Sequence, residues 1–167
     1  KSPTEGIEAF DVQLKCVGKI PVSGYFARPA NAKPKSLPAI LSVHGAGVRS
    51  SALNTAAQWA KQNMLSLDIN AHGLPNGQPA KYYEDLRANE YMGYPQWGSH
   101  SREESYFLGM FLRVIRAIDF LTAQPEWDGR TVIVQGGSQG GAQALAAAGL
   151  DERATFFVAR VPAICDH

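Results

Sequence analysis

Gly136-Gly137-Ser138-Gln139-Gly140 follows the β-branched run Thr131-Val132-Ile133-Val134 and precedes the small-residue stretch Ala142-Gln143-Ala144-Leu145-Ala146-Ala147-Ala148. Strand, turn and helix are thus written in succession, and the turn carries the pattern G-x-S-x-G. That context is what a nucleophile elbow requires, because a reactive serine must project from a very sharp turn. Glycines at 136 and 140 let neighbouring backbone approach without Cβ clashes, and the following helix aims its positive dipole end at the turn. The alternative is a glycine-rich turn that holds a phosphate or nothing. No Walker lysine follows, however, and the spacing G-x-G-x-x-G is absent.

Working outward, Asp128-Gly129 reads as the turn into that strand, with Pro125 closing the helix before it. Ser101-Arg102-Glu103-Glu104 has the form of a capping box and predicts a helix from there to about Ala123. Its apolar positions Phe107, Leu108, Phe111, Leu112, Ile115, Ile118 and Leu121 would form the buried face. Further upstream, Ala39-Ile40-Leu41-Ser42-Val43 reads as a fully buried strand ending in His44-Gly45-Ala46-Gly47. Ser51 to Gln62 has helical spacing, and Met64 to Ile69 is a second short strand. From Asn70 to about Gly98 the chain is rich in Gly, Pro, Asn and Tyr, a long loop of the kind that is usually functional.

Ile7 to Lys15 and Ile20 to Ala27 predict an antiparallel pair at the sheet edge. Thr155 to Ala159 supplies one more strand before the final segment Val161 to His167. Strands alternating with helices indicate a mostly parallel sheet covered on both faces, with ligands at its carboxyl edge.

The chain has 167 residues, enough for one domain (1–167) and short for two. With 45% hydrophobic and 19% charged residues it is an ordinary globular composition. The net charge of +1, with basic residues scattered, gives no attraction to nucleic acid or an anionic membrane. Apolar stretches fall short of a membrane span. The start Lys1-Ser2-Pro3 reads as internal or processed, which leaves the compartment open between the cytoplasm and export. Cys16 and Cys165 lie far apart, without metal-type spacing, and read as small buried residues. No cofactor and no metal is expected.

Ser138 is the candidate nucleophile, and a neutral serine needs a base, normally a histidine oriented by a carboxylate. The oxyanion formed on attack needs two N–H donors, for which the sequence offers Gln139 and a residue of the loop after the earlier strand. Ala46 is favoured there over Gly45 and Gly47. His44 is placed to fix that loop rather than to act as base. His72 reads as structural or pocket-lining and Tyr91 as a pocket residue, while His100 is expected on the surface.

These segments resemble the acetylxylan esterase / cephalosporin C deacetylase family of α/β-hydrolases. The likeness is carried by Val43-His44-Gly45, Asn70-Ala71-His72-Gly73, Gly137-Ser138-Gln139-Gly140-Gly141 and Val161-Pro162-Ala163-Ile164-Cys165-Asp166-His167, with the Ser-Gln-Gly-Gly part the most specific. It covers the chain from about Ile20 to its end. The resemblance implies a three-layer α/β-hydrolase fold and a serine esterase that removes acetyl groups from saccharides and related small esters, often as a ring-shaped homo-oligomer. Ala46 stands where that family commonly has a tyrosine, and Asn70 to Gln78 differs from its usual loop.

In this fold the acid and the base follow the serine in chain order. Only 29 residues follow Ser138. The expectation is therefore a C-terminally truncated sheet, with the catalytic Asp and His outside this chain and association either with the missing part or with another copy. Asp166 and His167 are adjacent, which disfavours them as the pair. A serine peptidase or acyltransferase on the same sheet, and a noncatalytic hydrolase-like binding domain, remain as alternatives.

Overall fold

A computed structural model gives the structure of residues 4–163. Among these described residues six strands form one sheet: β1 (Ile7–Leu14), β2 (Val22–Pro29), β3 (Leu37–Val43), β4 (Leu65–Ile69), β5 (Trp127–Gly137) and β6 (Phe156–Arg160). Their spatial order is β1-β2-β4-β3-β5-β6. β1 pairs antiparallel with β2, and β2 antiparallel with β4. The pairs β3–β4, β3–β5 and β5–β6 are parallel, as the alternation of strands and helices predicts.

Alternate residues of each strand serve opposite faces. Leu41, Leu67, Val132 and Val134 pack with Val114, Ala117, Ile118 and Leu121 of α3 (Tyr106–Thr122) and with Ala144 and Ala147 of α4 (Gln139–Leu150). Ala27 and Ile7 face the other way, onto Ala56 and Ala60 of α1 (Leu53–Lys61). Small alanines on α1 and α4 let these helices lie close to the sheet.

Four expectations need correction. α3 begins at Tyr106, not near Ser101, because Ser105 is the residue that caps it, its Oγ accepting the Phe107 N–H at 3.3 Å. Ser101 Oγ accepts the Glu104 N–H at 3.4 Å and closes only a local turn. The buried stripe of α3 is also rotated from the expected one: Met110, Arg113, Val114, Ala117, Ile118 and Leu121 face inward, while Leu108 is exposed. How the helix docks sets this face: Val114, Ala117, Ile118 and Leu121 meet the sheet, Met110 meets Ala71 and Tyr94, and Phe107 and Phe111 sit at the flanks. The stretch expected as a loop from Asn70 to Gly98 contains helix α2 (Ala80–Ala88) and a 3₁₀ turn over Tyr94–Gln96. α2 is polar and buries only Tyr83, so it carries almost no apolar periodicity to read. Finally, Cys16 is a half-buried free thiol rather than a core residue. Cys165, and the expectations attached to Lys1–Pro3 and to Asp166 and His167, lie outside the described residues.

Candidate active site

Val43 and Gly136 are neighbours in the parallel register of β3 and β5, so the turns after the two strands meet at the carboxyl edge of the sheet. Ser138 forms the β5–α4 turn with φ +54° and ψ −123°. A non-glycine residue held there typically carries about 1–3 kcal/mol of strain, so its surroundings must enforce it. The Ser138 N–H donates to the Arg160 carbonyl at 2.9 Å, and its own carbonyl accepts the N–H groups of Ala142 and Ala163, each at 3.1 Å. The two flanking glycines are required by space. A Cβ on Gly136 would stand 2.4 Å from the Gly140 backbone, and one on Gly140 would stand 2.4 Å from the Val43 carbonyl oxygen.

The loop after β3 lies directly against this turn, since a Cβ on Gly45 would fall 3.5 Å from the Ser138 Cβ. His44 holds the loop. Its Nδ1 donates to the Gly45 carbonyl at 2.6 Å, and its Nε2 accepts the Ala71 N–H at 3.3 Å. That pattern requires the neutral ring, and burial lowers the imidazole to about 4. From the other side, Arg113 donates Nε and Nη2 to the Ala71 carbonyl at 3.1 and 2.6 Å. The ends of β3 and β4 are thereby tied together beneath Ala46, which is itself exposed.

His72 is fully buried and does not reach the surface. Its Nδ1 pairs with the Tyr106 hydroxyl at 2.7 Å, and the rings of Tyr91 and Tyr94 each lie 4.7 Å from its own. Burial, with the nearby His44 and Arg113, lowers its pKa to about 4, and the Gly47 carbonyl opposes this weakly. Tyr91 is half-buried and lines an open cleft of about 420 Å³ with Ala46, Gly47, Arg87, Met92 and Tyr94. His100 is exposed and paired with Glu104 at 2.7 Å. Each of the three described histidines is thus engaged away from Ser138.

Two groups were not anticipated from sequence. The Tyr94 hydroxyl donates to Gln139 Oε1 at 2.6 Å and accepts the Gly47 N–H at 3.4 Å. Asp68, buried on β4, accepts the Ala52 N–H at 2.7 Å where α1 starts without a side-chain cap of its own. Burial pushes its carboxyl up to about 7, although the Ala52 N–H and Arg49 lower it. Asp68 lines a second cavity of about 230 Å³ with Ser42, His44, Arg49, Gln135 and Arg160, on the α1 side of the sheet. A carboxylate within a strand of buried apolar residues was the available signal for Asp68. For Tyr94 it was only membership of the aromatic cluster in the long segment.

The strand order, the antiparallel opening and the serine at the β5–α4 turn define an α/β-hydrolase fold. The model of the acetyl xylan esterase (AXE1) family matches residues 1–167, and the chain belongs to that family. It is 35% identical to acetyl esterase Axe7A of Xylanibacter ruminicola over 99% of its length, and spans 38% of that protein. An acetyl xylan esterase from Paenibacillus sp. R4 superposes with a TM-score of 0.79 at 30% identity, covering 98% of this chain and 51% of that one. Acetyl xylan esterase 1 from Thermoanaerobacterium sp. JW/SL YS485 shares the fold, with a TM-score of 0.69 at 20% identity over 98% of this chain and 50% of that one. The chain therefore spans about half or less of each of these three relatives. Among the described residues, no helix is long and apolar enough to cross a membrane.

Proposed function

We propose that these residues form the nucleophile and oxyanion half of a serine esterase that hydrolyses short acyl esters, acetyl above all, of saccharides or related small alcohols. The observation that carries this reading is Ser138 at φ +54° on the strand–helix turn, with the Gly45 backbone packed against it. The relatives named as acetyl esterases support the acyl group and the saccharide class.

In this reading Ser138 Oγ attacks the acetyl carbonyl carbon and its proton passes to a general base. The carbonyl π electrons move onto oxygen, and the backbone N–H groups of Gln139 and Ala46 stabilise the resulting oxyanion by donating hydrogen bonds to it. Collapse expels the alcohol, which takes the proton, and water then hydrolyses the acetyl-serine by the same route. Gln139 opens α4, so its N–H lacks an intrahelical partner. The Tyr94 hydroxyl occupies the Gly47 N–H, which favours Ala46 as the second donor. Loss of one such donor typically costs about 3–4 kcal/mol of transition-state stabilisation.

We place the base and its carboxylate outside residues 1–167, in a longer natural protein of which this chain supplies the N-terminal and central part of the hydrolase domain. The chain's share of its relatives supports this, as do the exposed Phe156, Phe157 and Val158 of β6, which further strands and helices would cover. The natural protein should hydrolyse a chromogenic acetate ester faster than the matching butyrate and octanoate. Ser138→Ala should lose at least about 10³-fold in kcat. Retained turnover in the variant, or kcat/KM rising with acyl length, would overturn the reading.

A further inference from the structure

We infer that Tyr94 is a positioning residue for the oxyanion site, its hydroxyl fixing the loop after β3 against the first residue of α4. The inference rests on the function proposed above and concerns the same site. Ala46 sits between two peptide planes, and each plane is held by a different group. The plane joining Gly45 to Ala46 is anchored through the Gly45 carbonyl, which accepts from His44 Nδ1 at 2.6 Å and from Arg49 Nη2 at 3.2 Å. Because the peptide is trans, the Ala46 N–H points the opposite way from that carbonyl. The plane joining Ala46 to Gly47 is anchored through the Gly47 N–H, which donates to Tyr94.

Gly47 has φ +126°, a conformation open chiefly to glycine, and without a Cβ its backbone has other accessible states unless a group outside the loop holds it. Tyr94 is built to do so. It is 6% exposed, and its ring is walled by His72 at 4.7 Å and Tyr106 at 5.4 Å. Its backbone opens the 3₁₀ turn that carries Pro95. Its short bond to Gln139 Oε1 joins the same hydroxyl to the residue that offers the other donor N–H. One hydroxyl thus joins the Gly47 N–H on one side of the oxyanion site to the Gln139 side chain on the other. The longer 3.4 Å contact with Gly47 is of the kind that commonly tightens when substrate arrives.

Tyr94→Phe keeps the ring and removes the hydroxyl. In the natural protein, kcat on an acetate ester should fall about 10- to 100-fold, less than loss of a direct oxyanion donor can produce. KM should stay within about twofold, and the thermal midpoint should move little. Gln139→Leu keeps the backbone N–H and removes the acceptor, so it should give a similar loss, and the double variant should lose no more than either single one. An unchanged kcat in Tyr94→Phe, losses that add, or a fall in kcat explained by unfolding at the assay temperature would each overturn the inference. Ser138→Ala in the same assay separates the two claims. If it abolishes turnover while Tyr94→Phe does not alter kcat, the positioning role fails alone; if it leaves turnover intact, the esterase reading fails first.

Discussion

The Val43 carbonyl oxygen lies 2.4 Å from where Gly140 would carry a Cβ, so the first turn of α4 rests directly on the end of β3. This contact brings the serine turn and the His44–Gly47 loop together, and it leaves no room for a side chain. The crowding atom is backbone on an interior strand, so it cannot swing away. Gly140→Ala should therefore destabilise the protein by about 1–3 kcal/mol or more through overpacking. Gly149, in the same helix, has open space around it, and Gly149→Ala should be neutral or stabilising by up to about 1 kcal/mol. Thermal or urea midpoints of the two variants check this, and equal effects would contradict the packing argument.

Asp68 predicts an alkaline penalty. Its folded pKa of about 7 lies above the ordinary 3.8, so between those values the folded protein holds a proton that the unfolded chain has released. Its contribution is therefore present at low pH and is lost as pH rises toward 7, by about 4 kcal/mol in total. Asp68→Asn keeps an acceptor for the Ala52 N–H and removes the charge. Relative to wild type, the variant should gain about 2–3 kcal/mol between pH 5 and pH 8. Parallel stability profiles for the two proteins would refute a buried, protonatable Asp68.

His72 predicts an effect of opposite sign on the acid side. Its folded pKa of about 4 lies below the ordinary 6.5, so on acidification the unfolded chain takes up the proton first. Stability is full above 6.5 and is lost as pH falls toward 4, by about 3 kcal/mol for this ring. His72→Phe should cost about 1 kcal/mol at pH 7 through the lost bond to Tyr106, and should show a shallower loss between pH 7 and pH 4.5. Denaturant midpoints at the two pH values decide it, and an unchanged acid slope would show that the ring does not titrate as described.

How much of this was legible in the sequence follows from the range of the interactions. β3 and β5 could be read because runs such as Ile133-Val134 are β-branched and bounded by glycine turns. The serine turn could be read because its glycines are a local steric necessity. The buried face of α3 was harder to read, since it depends on tertiary docking: the sheet covers Ala117, and Ala71 with Tyr94 covers Met110, while Leu108 is left exposed. α2 left little pattern, being held partly by the exposed Lys81–Asp85 pair. Tyr94 was visible only as one aromatic residue among several. Its bond to Gln139 depends on the path of the whole segment between β4 and α3, which no local pattern records. Arg113 is buried in an apolar helix because its partner is the Ala71 carbonyl, 42 residues away, which no local pattern marks.

The most direct test of the account is the site of covalent trapping. The natural protein is incubated with a fluorophosphonate, digested, and the adduct located by mass spectrometry, with Ser138→Ala as control. The account predicts a single adduct on the peptide containing Ser138, parallel loss of acetate ester hydrolysis, and no labelling of the variant. An adduct on another serine, with Ser138→Ala still hydrolysing the ester, would contradict it.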